Sequence, residues 1–150
     1  MRIDKIVLDN FKNFEHLEAS FRPGVNLFVG INGSGKTSLL ESLCVASGAF
    51  FGSQIQKMQR VIEFDEIRIS QGYRVAKTSV KASSKLIEKP WVRTINSKTK
   101  KNDSKWIRPA SNYGLKFFKE FENPDSQVVA PLIAYYSSRR LFKDSNQTKQ

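Results

Sequence analysis

A single cysteine in 150 residues rules out an internal disulfide. Cys44 suits a reducing cytoplasm and reads as a small apolar residue on a buried helix face, not a nucleophile. There is one histidine, His16, placed at a strand start and read as a surface residue. Long apolar runs are missing too. The longest, "VVAPLIAYY" at 128–136, is well short of a membrane span, so no membrane role is expected. The opening "MRIDKIVLDNF" alternates apolar and polar residues, unlike a signal or transit peptide. No internal repeat is visible. Acids are scarce in the middle: Arg74 to Arg108 holds eleven Lys or Arg against only Glu88 and Asp103, an excess of +9 within an overall +11. Such an excess attracts polyanions, although a solvated lysine-rich face has the same composition.

What is present fits one soluble domain, with 39% hydrophobic and 26% charged residues. "RIDKIVLD" at 2–9 is a strand whose alternation slips at Ile6-Val7-Leu8, and "HLEASF" at 16–21 is a second strand after the turn "NFKNF". Pro23-Gly24 signals another turn. "VNLFVG" at 25–30 is nearly continuously apolar and is expected to be a strand buried on both faces. "KTSLLESLCVASGAFF" follows helical spacing through Leu39, Leu40, Leu43, Ala46 and Phe50, with Gly48 and Gly52 marking its end. Residues 54–64 fit either a short helix or a helix-to-strand transition. Beyond them "EIRIS", "YRVAKTSVKAS", "PWVRTIN" and "KWIR" suggest an antiparallel meander over the core, with 94–105 an exposed tip. "NYGLKFFKEFEN" is an amphipathic helix through Leu115, Phe118 and Phe121, closed by Asn123-Pro124. "QVVAPLIAYYSS" is expected to be another buried strand, and the tail 143–150 to fray.

The segment Gly30-Ile31-Asn32-Gly33-Ser34-Gly35-Lys36-Thr37 satisfies G-x-x-x-x-G-K-[ST] at every position. A buried strand before it and a helix after it supply the required context. Glycines let the backbone wrap phosphate oxygens closely, and the helix start adds N–H donors and a positive dipole end. Gly30, Asn32, Gly33, Ser34, Gly35, Lys36, Thr37 and Ser38 are therefore the expected phosphate-binding residues. Lys36 is expected at the β- and γ-phosphates, and the Thr37 hydroxyl on Mg²⁺.

Residues 1–45 resemble the N-termini of the RecF-like and SMC-like branch of ABC ATPases. The resemblance rests on a strand, the turn Phe11-Lys12-Asn13-Phe14, a second strand, and a loop of the form G-x-N-G-[SA]-G-K-[ST] containing Asn32. It implies an α/β P-loop NTPase fold of the ABC-type N-terminal lobe: a mixed sheet around the phosphate loop and helix, with an antiparallel β meander. It implies ATP, rather than GTP, and Mg²⁺ as ligands, and places Lys12 and Asn13 near the α-phosphate or ribose. "LIAYYSSRRLF" at 132–142 resembles a segment of AAA/ABC-type ATPases from bacterial defence and virulence loci, including partners of retron and Septu-like systems. That match makes Arg139 and Arg140 candidate phosphate-sensing or interface residues.

Such ATPases also need an apolar strand ending in Asp-Glu, a Walker B element, and an L-S-G-G-Q-like signature. Neither is found. "RVIEFDE" at 60–66 imitates the first with Asp65-Glu66, but it follows the loop helix too closely and is read as a coincidence, so no catalytic residue is assigned. The expected layout is an incomplete ATP-binding domain over 1–150: hairpin, loop and helix at 1–52, a basic antiparallel region at 53–108, a helix and strand at 109–142, and the tail. Three functions fit. One is the N-terminal part of an ATPase whose hydrolysis switches a partner such as a nuclease, in antiphage defence or DNA processing, completed by a remaining half or a homodimer partner. Another is a noncatalytic, nucleotide-gated module that contacts nucleic acid through residues 74–108, with Tyr73, Trp91 and Trp106 interleaved. Alternatively those aromatics pack the meander's core. The last is a decayed fragment, which would expose an apolar face.

Overall fold

The computed structural model describes residues 1–52, 59–103, 105–129, 131 and 133–136. Strands β1 (Lys5–Phe11) and β2 (Phe14–Ser20) form the opening hairpin, in register Lys5↔Ser20 to Phe11↔Phe14. Ile6 and Leu8 face the core with their alternation intact. The slip comes later, at Asn10 (φ 55°), and turns Phe11 onto the same buried side.

Helix α1 (Lys36–Phe51) follows the glycine loop and ends at Gly52. Gly48 lies inside this helix, not at its end. Its buried face is Leu39, Ser42, Val45, Ala46, Ala49 and Phe50, whereas Leu40 is 41% exposed. The seam is therefore rotated from the Leu-rich stripe toward smaller residues. Buried Ser42 avoids an unmet donor by donating to the Leu39 carbonyl (2.6 Å).

The basic region builds two short strands, β3 (Ile69–Ser70) and β4 (Tyr73–Arg74), and three that extend the main sheet: β5 (Lys77–Ser84), β6 (Ile87–Asn96) and β7 (Asn102–Asp103). Sheet order is β2-β1-β5-β6-β7, and every pairing among the described residues is antiparallel. The meander thus joins β1 edge to edge. Period-two burial in β5 sends Thr78, Val80, Ala82 and Ser84 inward and leaves Lys77 and Lys81 in solvent. From β6, Trp91 Nε1 donates to the Ala46 carbonyl (2.9 Å) and Arg93 Nε to the Val45 carbonyl (3.1 Å), tying sheet to helix. Burial pulls the Arg93 guanidinium down to about 10.

"KWIR" is a 3₁₀ turn (Lys105–Ile107), not a strand. It leads into α2 (Arg108–Phe121), where Pro109 near the helix start suits a position whose N–H needs no partner. Helix α2 packs on the end of α1 through Phe50, Phe51, Tyr113, Phe117 and Phe118. Its buried contacts are small, Ala110 and Gly114, while Leu115 is half-buried and Phe121 is 49% exposed.

Two further expectations fail. "VNLFVG" is not a buried strand: residues 25–30 join no sheet, and Val25, Leu27, Val29 and Ile31 are 83–95% exposed. A continuous apolar run is buried on both faces only between neighbouring strands, and no described strand pairs with this one. Only Phe28 turns inward, edge-on to Phe21 at 6.1 Å. Likewise, the described part of "QVVAPLIAYYSS" forms no strand, with Val129 84% and Tyr136 76% exposed. Of residues 54–64, those at 54–58 lie outside the described set, 59–63 are irregular, and Phe64 opens a 3₁₀ turn, Phe64–Glu66. Arg139, Arg140 and the tail lie outside it as well. No helix among the described residues is long and apolar enough to cross a membrane.

Candidate nucleotide-binding site

The loop between Gly30 and Ser38 depends on two glycines with positive φ. Gly33 (φ 82°) faces open space, so only its backbone conformation requires glycine. Gly35 (φ 93°) is also sterically pinned. A Cβ there would lie 2.3 Å from Phe14 Cζ and 2.8 Å from Asn13 Nδ2, both on the β1–β2 turn. The tips of two side chains from that turn thus occupy the space beside Gly35.

Gly35 is also the N-cap of α1. It offers no side-chain cap, and the first helical turn contains no acid. The helix start keeps free donors and an uncompensated positive end, a favourable setting for an anion. Lys36 Nζ donates to the carbonyls of Gly30 (2.6 Å) and Ile31 (2.7 Å), which hold it across the loop mouth. Its third donor makes only a long contact to Ser34 Oγ (3.4 Å), the weakest of the three and the one a phosphate oxygen would replace. Thr37, next along α1, is exposed and available to a metal.

Lys12, Asn13, Asn32, Gly33, Gly35, Lys36, Thr37 and Ser38 line one cleft of about 340 Å³. Two elements distant in sequence, the turn and the loop, thus share one cavity. Gly30 and Ser34 lie on the other side of the loop, lining an apolar hollow of about 400 Å³ with Phe14, Leu17, Leu27, Phe28, Val29 and Leu39. The residues of the cleft fit a nucleotide polyphosphate: a turning glycine backbone, an uncapped helix start, one lysine across the mouth and one hydroxyl for a divalent ion.

Two further residues escaped sequence reasoning as site neighbours. The Lys12 ammonium contacts the carboxylate of Glu41 on α1 and that of Glu66 (3.3 Å) on the 3₁₀ turn. Burial works against the Lys12 charge, but the hydrogen bond and charge of Glu41, with Glu66 behind, outweigh it and raise its pKa. Glu41 was detectable as the residue four after Thr37, on the same helix face. Asp65-Glu66 sits on a 3₁₀ turn, not at a strand end; Glu66 is buried, and its carboxylate takes Arg60 Nη2 (2.7 Å) and the Glu63 N–H (2.9 Å). His16 is exposed and pairs with the Asp9 carboxylate (2.7 Å). Cys44 is half-buried, and burial raises its thiol pKa.

Replacing Gly35 by Ala should strain the loop at φ 93° and displace the Phe14 ring and the Asn13 amide from the cleft wall. We expect nucleotide affinity to fall at least about tenfold, read by isothermal titration, given the sensitivity of such sites to ångström misplacement. Unchanged affinity would mean the turn is no part of the site.

Fold and loop together define a mixed α/β domain of the P-loop NTPase kind. The chain belongs to the AAA_23 family of AAA domains, whose profile matches residues 5–150. Among curated relatives it resembles the "DNA replication and repair protein RecF" of Cytophaga hutchinsonii, 63% identical over 43 residues (29% of this chain, 11% of that protein). The RecF protein of Heliobacterium modesticaldum is 54% identical over 48 residues (32% and 13%), and that of Actinobacillus succinogenes 40% over 67 (44% and 18%). The matched stretch spans less than a fifth of each of these relatives. A solved structure described under ATP-driven dimerization and DNA-stimulated activation of SMC ATPases shares the fold, with TM-score 0.52, 16% identity, and coverage of 75% of this chain and 79% of that one.

Proposed function

We propose that this chain binds Mg-ATP at Gly30–Ser38, beside the Lys12–Asn13 turn, as the N-terminal part of an ABC/SMC-like ATPase. The observation that carries this reading is the single cleft shared by turn, loop, Lys36 and uncapped helix start. The Thr37 hydroxyl would hold a Mg²⁺ ion, whose positive charge would offset that of the phosphates. The chain's own parts are the Lys36 ammonium, the loop N–H groups and the Thr37 hydroxyl. Direct equilibrium binding of radiolabelled ATP, with and without Mg²⁺, tests this. No saturable binding by a folded chain would end it.

In this reading hydrolysis is completed by groups outside residues 1–150: a remaining ATPase half or a homodimer partner bringing carboxylates and a signature element. The exposed row Val25, Leu27, Val29 and Ile31, beside the apolar hollow, supports added strands there. The same row is what a decayed fragment would expose, and Mg-ATP binding separates the two. Cytoplasmic location, the four-part domain layout, the roles of Arg139 and Arg140, and coupling to an effector nuclease in antiphage defence or DNA processing belong to this proposal.

A second reading, contact with nucleic acid through residues 74–108, is favoured by exposed aromatics beside cations. Tyr73 is 81% and Trp106 55% exposed, and Lys105 Nζ stands 5.3 Å from the Trp106 ring. Trp91, in contrast, is fully buried in the core. Lys89, Arg108 and Lys116 further line a hollow of about 460 Å³ with Tyr113. On this reading single-stranded DNA affinity drops steeply between about 50 and 200 mM salt, as phosphate contacts release counterions. Fluorescence anisotropy showing no binding at the lower salt would discard it.

A further inference from the structure

We propose that Glu41 and Glu66 are positioning residues of the nucleotide cleft: they grip Lys12 and thereby fix the turn that presents Asn13 to the ligand. The inference rests on the nucleotide-binding reading and assigns distinct tasks within it, Lys12 as a strut and Asn13 as the contact.

The turn is held in an unfavourable conformation. Lys12 has φ 52°, a left-handed geometry that a residue with a Cβ keeps only when its surroundings impose it. Three ties do so here. The Lys12 N–H donates to the Glu66 carbonyl at 2.7 Å. Its ammonium donates to the Glu41 carboxylate and lies 3.3 Å from Glu66 Oε1. Phe11, just before it, bridges Ile67.

Neither carboxylate is free to follow Lys12 elsewhere. Glu66 is 3% exposed and already fixed by Arg60 and by the N–H of Glu63, so the 60–66 segment holds it before Lys12 arrives. Glu41 stands one helical turn beyond Thr37 on α1, the helix that carries Lys36. Lys12 therefore clamps the loop helix to the 3₁₀ turn. An ammonium shared by two carboxylates brings little net positive charge to an incoming phosphate. Asn13 is free of that clamp. It is exposed, lines the cleft, and its Nδ2 lies 2.8 Å from where a Gly35 Cβ would be. A side-chain amide offers both donor and acceptor, which suits a phosphate or ribose oxygen.

The test is a double-mutant cycle on Mg-ATP affinity with Glu41→Gln, Lys12→Met and the pair, with Lys12→Arg as the conservative variant. Glu41→Gln is expected to weaken binding about tenfold, with the double variant no weaker than either single one, as for groups that act through each other. Lys12→Arg should keep most of the affinity, and Asn13→Ala should lose as much as Glu41→Gln. A companion readout needs no nucleotide: amide hydrogen exchange at Lys12 should accelerate in Glu41→Gln while Val80 and Ile95, on central strands, keep their protection. Wild-type affinity in Glu41→Gln with Lys12 still protected would overturn the proposal. So would tighter binding, because the carboxylates would then be competing with phosphate for Lys12. If the native chain binds no Mg-ATP, the nucleotide reading falls, and contact by Asn13 with it.

Discussion

Lys36→Ala abolishes the stabilisation that Mg-ATP confers on this chain. A ligand at a hundred times its dissociation constant stabilises the native state by about 2.7 kcal/mol. For a domain of this size that raises the melting temperature by roughly 5–10 °C. Lys36 is the one loop side chain that reaches across the mouth, anchored by the Gly30 and Ile31 carbonyls, and alanine leaves both the anchor and the phosphate charge unmet. Those bonds lie at an exposed edge, so the ligand-free melting temperature of the variant should stay close to the native one. Thermal denaturation with and without Mg-ATP reads both numbers. An equal shift in native protein and variant would place the nucleotide somewhere other than this loop.

Gly114→Ala should destabilise the fold by about 3 kcal/mol, although alanine is the better helix former by about 1 kcal/mol. Gly114 is buried where α2 crosses the end of α1. A Cβ there would stand 1.9 Å from the Phe50 carbonyl oxygen and 3.0 Å from its carbon. The obstacle is backbone, so relief requires one helix to move away from the other. That movement would open the aromatic cluster around Phe50, which includes Tyr113, Phe117 and Phe118. Urea denaturation measures the change, and its sign is decisive: a gain in stability would show that the helices do not meet at this glycine.

Local pattern was enough to locate the opening hairpin, α1, α2 and the long strands β5 and β6. The loop stands out in the chain in the same way. G-x-x-x-x-G-K-[ST] is a contiguous pattern, and of the two loop glycines with positive φ, Gly35 falls on one of its fixed positions while Gly33 falls on one it leaves open. Faces were harder to read. Helix α1 buries Ser42 and Ala49 where leucine spacing pointed to Leu40 and Leu43, because β6 reaches the helix backbone at Val45 and Ala46 with Trp91 and Arg93. Alternation alone could not divide the aromatics either: Trp91 went to the core while Tyr73 and Trp106 stayed outside.

The "VNLFVG" run shows where local pattern stops. Apolarity marks residues that gain from burial, but burial itself depends on which strands lie alongside, and none of the described strands does. The site divides in the same way. Its proposed phosphate loop is contiguous in the chain, so eight neighbouring residues carry that expectation by themselves. Its second wall comes from a turn some twenty residues earlier, docked against a glycine, and from carboxylates at 41 and 66 that grip Lys12. Such contacts join residues far apart in the chain, and only packing in three dimensions brings them together.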